Sequence, residues 1–337
     1  MTQITWLHLS DLHIREEPGS KYNLDVVLDA LLKDIQEFTV EKNLKLNFII
    51  ITGDIANKGM DKDYALANNF LDNLLHITNL TKDQLLVIPG NHDVNRPSVE
   101  DLVGLRKSLL TSEALVDLFG NNKHQEFVSK GQGNYANFVK KYFKNSLIFN
   151  SNDYFFVRHL DFDGTKLAIL GLNSAWASVS DEKIGTVLVG EPQIIDAKKR
   201  LAAADITITL LHHPFEWIQN FDRRKVEKDV RIFSDFVLHG HKHEEGFSIE
   251  ATFEGTVVVI PGGAAFEDRN YPNSYNFVKI DTDKKIGALY LRRYNDECKE
   301  WIRDIAATGE DFNGEYHFLL FNAHNQKPLP TRTLRHY

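Results

Sequence analysis

The stretch FIIITGDIANKGMDKDYALANNFLDNLLHITNLTKDQLLVIPGNHD (48–93) decides how the chain folds. Two apolar runs rich in β-branched residues, Phe48–Thr52 and Leu85–Ile88, read as buried strands. Between them, apolar residues at helical spacing around Tyr64–His76 predict a helix. A strand–helix–strand unit implies parallel strands with the helix on a face. The first strand runs into Gly53-Asp54 and the second into Gly90-Asn91-His92-Asp93. Parallel strands bring their C-terminal loops to one sheet edge, so these polar groups should converge.

The same rhythm extends in both directions. Upstream, a strand at Ile4–Leu9 leads into Asp11-Leu12-His13, and Leu24, Val27, Leu28, Leu31, Leu32 and Ile35 mark a helix. Downstream, strand Ile206–Leu211 delivers His212-His213, and strand Phe236–His239 delivers Gly240-His241-Lys242-His243. The stretch 97–146 shows helical spacing without a strand, as in Leu102–Leu105–Leu109 and Tyr135–Phe138–Val139–Tyr142. It reads as a helical insertion, either a cap beside the site or the cover of a sheet edge. From Tyr154 the pattern is expected to turn antiparallel, because Tyr154–Phe162 and Lys166–Leu172 flank the hairpin signal Asp163-Gly164. A helix should open at Pro192 and run to Ala203, and further strands are expected at Gly246–Phe253, Thr256–Ile260, Ser274–Ile280 and Ile286–Tyr294. The whole predicts an α/β protein of two mixed sheets face to face with helices outside. A catalytic domain is expected over 1–294 and a C-terminal extension and tail over 295–337, with the Pro- and Arg-containing end joining or contacting a protein partner or further module.

Asp11, His13, Asp54, Asn91, His212, His241 and His243 are candidate metal ligands. Asp11 and His13 can reach one ion from a short loop, and the two oxygens of Asp54 can bridge two cations. A mixed oxygen and nitrogen donor set without cysteine suits manganese, iron, cobalt, nickel or zinc better than calcium or magnesium. Manganese is the first expectation. Two such ions about 3.5–4 Å apart lower the pKa of a bridging water and clamp both oxygens of an in-line phosphoryl displacement. The glycines at 53, 90 and 240 suit loops that bring backbone close to ligands.

The 337 residues are 42% hydrophobic and 26% charged, with a net charge of −8, enough chain for one large domain or two smaller ones. The acidic balance argues against a broad duplex-coating face, which needs excess positive charge. A single cysteine, Cys298, excludes an internal disulfide and points to a reducing compartment. The first residues lack the pattern of a signal peptide, and no apolar run approaches the roughly 20 residues of a membrane helix. A cytoplasmic location without membrane contact is the expectation.

The motifs DLH, GD, GNHD, HH and GHKH, in this order, resemble those of the calcineurin-like metallophosphoesterases. The resemblance covers roughly Ile4 to Ile280 and implies a four-layer α/β/β/α sandwich. Carried over by motif, it implies that Asp11, His13 and His243 bind one metal, that Asn91, His212 and His241 bind a second, and that Asp54 bridges them. The family's GNHD histidine lies over the substrate, a role that falls on His92. It would donate a proton to the leaving alkoxide, with Asp93 orienting its ring. Such a general acid contributes about 10²–10⁴ in rate. The choice of His212 over His213 rests on the resemblance, and a hydrogen-bonding role for His213 stands beside a ligand role.

The resemblance is nearest to the cyclic-nucleotide phosphodiesterase-like branch, through GNHD, LNSAW (172–176), GEPQ (190–193), HHP (212–214) and GHKH. It implies hydrolysis of a nucleotide or cyclic-nucleotide phosphodiester. A DNA or RNA nuclease module of a repair or bacterial defence system is the alternative, and a non-catalytic metal-binding scaffold a third reading. The sequence IANKGM after Asp54 argues against a protein phosphatase, whose motif reads GDxVDRG. His8 and His239 are expected in the core, and Asn57 as a loop stabiliser. Phe215 and Trp217 are expected to pack under a loop, with stacking on a base as the alternative. Arg158, Arg223, Arg224, Arg292 and Arg293 are candidates for phosphate contact.

Overall fold

In the computed structural model, the described residues are 2–16, 21–144, 154–180, 182–243, 246–251, 256–267 and 272–320. The β-branched runs form strands as their composition requires: β1 (Gln3–Leu9), β2 (Phe48–Ile51) and β3 (Leu85–Val87), separated by α1 (Lys21–Glu41) and α2 (Asp61–Thr78). These three strands are parallel neighbours. The pairing continues past the strand ends, with Asp11 N–H donating to Gly53 O, His13 N–H to Asp54 O and Asn57 N–H to Ile14 O, at 3.0, 3.0 and 3.1 Å. Two ligand-bearing loops are therefore held in register by backbone bonds.

A 3-10 stretch (Arg96–Leu102) opens a helical block: α3 (Val103–Ser108), α4 (Ser112–Gly120), α5 (His124–Gly131) and α6 (Gly133–Phe143). This is the helical insertion expected over 97–146, whose last two residues lie outside the described residues. It packs along the flank of the sandwich. Phe138 of α6 stacks on Tyr64 of α2 at 4.9 Å, and α4 meets the helix of the second half that opens at Glu191. The block is also bonded to loops of both sheets. Asn134 donates to Gly59 O at 2.9 Å, Gln132 and Asn173 exchange side-chain bonds, and Arg106 donates to the carbonyls of Ala177 and Thr186.

The second half runs β4 (Phe156–Phe162), β5 (Thr165–Gly171), α7 (Glu191–Arg200), β6 (Ile206–Leu211), α8 (Asn220–Phe233), β7 (Phe236–His239), β8 (Ser248–Ala251) and β9 (Thr256–Pro261). Its sheet has the order β4-β5-β6-β7-β9-β8. The expected antiparallel pattern holds only at the edges: β4 and β8 are antiparallel to their neighbours, whereas β5, β6, β7 and β9 are parallel. The reason is connectivity. Helices α7 and α8 cross between β5, β6 and β7, and a helical crossover returns the chain in the same direction.

The chain then rejoins the first sheet through β10 (Ser274–Asp281), antiparallel to β1, and β11 (Ile286–Asn295). The C-terminal extension is expected to begin after Tyr294. Beyond it, β12 (Glu300–Arg303), α9 (Ile305–Thr308) and β13 (Glu315–Leu319) follow, and both strands pair with β11. Residues 295–319 complete a seven-stranded sheet in which six strands follow the order β12-β11-β10-β1-β2-β3 and the seventh, β13, also pairs with β11. The tail expected at the C-terminus lies outside the described residues.

The two sheets close on each other around Trp6, which is fully buried, stacks on Phe48 at 5.7 Å and meets Phe236 of the second sheet edge-on at 5.4 Å. A separate apolar cluster under α7 and α8 contains Leu170, Leu211, Val226 and Val230. The layers are therefore helix, sheet, sheet, helix, as the sequence predicted. Among the described residues no helix is long and apolar enough to cross a membrane.

Candidate metal centre

The loops that leave β1, β2, β3, β6 and β7 meet at one end of the sandwich. Five candidate ligands sit there with left-handed backbone: Asp11 (φ 52°), His13 (45°), Asp54 (53°), His241 (70°) and His243 (55°). Such conformations are uncommon away from glycine, and they cluster where a site over-determines the chain. Close approach also dictates two glycines. A Cβ on Gly90 would collide with the Asp54 carboxylate, and one on Gly240 with the side chains of Ser10 and Asp11.

All seven candidate ligands come together. Donor atoms of Asp11, His13 and His243 lie within 4.8 Å of one another, as do those of Asp11, Asp54 and His212 and those of His13, Asp54 and His92. Asp54 thus stands between two groups. On the far side, His212 Nε2 lies 3.3 Å from Asp54 Oδ2 and 3.1 Å from Asn91 Oδ1. The other nitrogen of His212, Nδ1, is 2.8 Å from the Thr52 carbonyl, which fixes the ring so that Nε2 faces the centre. The His212 ring is thus oriented toward Asp54 and Asn91. His213 bonds Ser174 Oγ through Nδ1 at 2.9 Å; its Nε2 is buried without a partner, and one of its ring nitrogens lies within 4.8 Å of donor atoms of His212 and His241.

The donor set suits divalent cations. Both ring nitrogens of His13 and Nε2 of His241 are buried without a hydrogen-bond partner, a costly state that a cation would relieve. Burial pushes the His13 imidazole down to about 4, and burial with the neighbouring His212 pushes His241 down to about 3, so both rings are neutral and ready to coordinate. Burial alone would raise the Asp54 carboxyl, but the His212 and His92 imidazoles hold it well below its usual range. Burial likewise opposes charge on His212, but the Asp54 carboxylate outweighs it and lifts the ring to about 9.

His92 is half-buried at the rim, and its ring stands edge-on to His13 at 4.6 Å. The expected partnership with Asp93 is corrected by the geometry. The Asp93 carboxylate accepts from the backbone N–H groups of Gly90, Ile55 and Ala56 at 2.9, 3.2 and 2.9 Å, and from the Tyr64 hydroxyl at 3.0 Å. It ties the GNHD loop to the GD loop. Burial and the charge of Asp54 lift it to about 6. The contact of the His92 ring is the Asn57 carbonyl, 2.9 Å from Nδ1. Asn57 therefore contributes its backbone to the site as well as stabilising the loop.

Two further neighbours flank the centre: Glu267, which lies outside the sequence motifs, and Trp217, which the sequence places under a loop or stacked on a base. Glu267 places Oε2 3.2 Å from His243 Nδ1 and 3.7 Å from His13 Nε2. Trp217 meets His241 edge-on at 4.1 Å. The signal for Glu267 was present, since Gly262-Gly263 follows the buried strand β9 just as Gly53, Gly90 and Gly240 follow strands ahead of three of the ligand motifs. Of the arginines considered for phosphate contact, Arg158 lies 3.9 Å from Asp83 and Arg223 2.7 Å from Glu227, while Arg292 is buried against Asp34. His8 and His239 are buried, as expected.

Comparison with known proteins finds similar sequences and structures. The metallophosphoesterase-like protein YydB of Bacillus subtilis strain 168 is 25% identical over 311 residues, covering 90% of this chain. The chain spans 62% of that relative's length. Among solved structures, purple acid phosphatase PPD1 from yellow lupin aligns with 12% identity and a TM-score of 0.47, covering 87% of this chain and 52% of that one. The NAD nucleotidase NadN of Haemophilus influenzae aligns with 15% identity and a TM-score of 0.44, covering 89% and 53%. The sequence profile of the calcineurin-like phosphoesterases matches residues 4–245, most of the chain, and the protein belongs to that family.

Proposed function

We propose that the protein is a phosphodiesterase that holds two divalent cations and hydrolyses a small nucleotide or cyclic-nucleotide diester. The observation that carries this reading is the position of Asp54, whose carboxylate is shared between the group containing His13 and the group containing His212. Asp11, His13 and His243 would hold one ion, Asn91, His212 and His241 the other, and Asp54 both. Bound there, the ions would supply Lewis-acid charge at the phosphoryl oxygens and an acidified water. Manganese is the first candidate among the metals this donor set suits.

The protein's own groups account for the rest. Asn57 O accepts from His92 Nδ1–H, which leaves Nε2 as the ring nitrogen outside that bond. When the ring is charged, Nε2–H can pass its proton to the departing alkoxide oxygen, and the neutral ring then recovers a proton from solvent. His92 N–H donates to Asp54 Oδ1 at 2.7 Å, which ties the backbone of the proton donor to the shared carboxylate. Asp93 acts one step removed by holding both loops.

The net charge of −8 and the engagement of Arg158, Arg223 and Arg292 with carboxylates favour a small diester over nucleic acid. The test is turnover by manganese-loaded protein of 2′,3′- and 3′,5′-cyclic nucleotides, single-stranded DNA and duplex DNA. Cyclic-nucleotide hydrolysis without DNA cleavage is expected. DNA cleavage abolished by Asp54→Asn would replace this reading with the nuclease one, and inactivity on every diester would favour the scaffold.

A further inference from the structure

Glu267 lies on the loop between β9 and β10, outside the five motifs, and its carboxylate faces two of the candidate ligands. Oε2 is 3.2 Å from His243 Nδ1 and 3.7 Å from His13 Nε2. The other nitrogen of His243, Nε2, is 3.2 Å from Asp11 Oδ1. The imidazole thus spans two carboxylates, one at each nitrogen.

We propose that Glu267 is a positioning residue of the metal centre: it accepts the Nδ1 proton of His243 and so presents Nε2, beside Asp11, to a cation. The inference rests on the metal-binding reading above. Three features support it. A ligating histidine commonly donates its second nitrogen to a carboxylate or carbonyl, which fixes tautomer and ring orientation, and His212 already has such a partner in the Thr52 carbonyl. The loop is also laced to the DLH loop. Ala265 N–H donates to Ser10 O at 2.9 Å and Phe266 N–H to Asp11 O at 3.0 Å, while Asn273 Oδ1 accepts from Glu267 N–H at 2.7 Å. The carboxylate is therefore placed relative to Asp11 and His13 by backbone bonds. Lastly, a carboxylate that shares the His243 ring with Asp11 is unfavourable unless positive charge is held there, and its side chain is only 23% exposed.

The test compares the full chain with Glu267→Ala and Glu267→Gln by calorimetric titration with Mn²⁺ and by the visible spectrum of the Co²⁺-loaded protein. Circular dichroism of the metal-free forms checks folding. Glu267→Ala should weaken one of two binding events by about 10–100-fold and leave the other unchanged. Glu267→Gln keeps an oxygen that accepts Nδ1–H, so it should recover about half of that loss on a logarithmic scale, with an unchanged cobalt spectrum. The near-isosteric glutamine keeps the test open if the alanine variant does not fold. Wild-type affinity in Glu267→Ala would overturn the assignment. So would a glutamine variant as weak as the alanine one with an altered cobalt spectrum, because Glu267 would then itself be a ligand. A wild-type chain that takes up no ion would overturn the metal reading and this assignment together, whereas two ions bound equally by wild type and Glu267→Ala would overturn this assignment alone.

Discussion

His212 and His243 occupy matching places in the two ligand groups, yet they are held by different means. His212 is fully buried, and its Nδ1 bonds a backbone carbonyl, Thr52 O, of the opposite sheet. The His243 side chain is 18% exposed and contacts side-chain carboxylates at both nitrogens. One half of the centre is set by the scaffold, which costs no further ordering when an ion arrives. The other depends on side chains, whose rotamers must be ordered to bind. The ion beside His243 should therefore be the first to leave during dialysis against a chelator.

The largest effect should come from removing what the halves share. Asp54→Asn is expected to abolish both metal occupancies and lower diester turnover by at least about a thousandfold, several kcal/mol of transition-state stabilisation. Elemental analysis showing unchanged metal content would end the bridging role. Next, His92→Ala should retain both ions and lose about 10²–10⁴ in turnover. If metal content falls in proportion to activity, His92 is a ligand. A sharper contrast separates the halves themselves: His212→Ala and His243→Ala should each lose one ion. Only the first should also destabilise the metal-free fold, by about 1–3 kcal/mol, because it leaves the Thr52 carbonyl unpaired in the core. Equal chemical denaturation midpoints would remove the distinction.

The smallest effect is one of pH. In the metal-free chain His212 is lifted from 6.5 to about 9, so the stability from its charged form is fully present below about pH 6.5 and is lost as pH rises through about 9. An ion needs the neutral ring, so metal binding should strengthen over the same window. Thermal unfolding and Mn²⁺ titration at both ends of the window read the two opposite trends, and flat profiles would contradict the His212–Asp54 pairing.

Much of this was legible in the chain because strand and ligand follow one another in a fixed rhythm, with a glycine between them at Gly53, Gly90 and Gly240. The rhythm placed Asp11, Asp54, Asn91, His212 and His241 at one sheet edge without knowledge of any contact. It could not assign partners. Asp93 sits next to His92 in sequence but faces the other way, toward Tyr64 and three backbone N–H groups, because a tight 3-10 turn over Asn91–Asp93 separates the two side chains. Glu267 was passed over because it comes several residues after its strand, and its role depends on a loop folded against a distant one. The strands β12 and β13 are short and offer few large apolar residues, chiefly Trp301 and Phe318, too few for a periodicity to stand out. The parallel core of the second sheet was obscured by the β4–β5 hairpin, a strong local signal that says nothing of the strands after it.

The helical block between Arg96 and Phe143 bonds to Gly59, just past the loop of Asp54, and to Asn173 and Ala177, on the loop that precedes the His213 partner network. It spans the seam between the sheets as a calliper does. Each proposed group of ligands draws on both sheets, so loosening the packing of the block would first be felt within each group, in how ligands from one sheet meet those from the other.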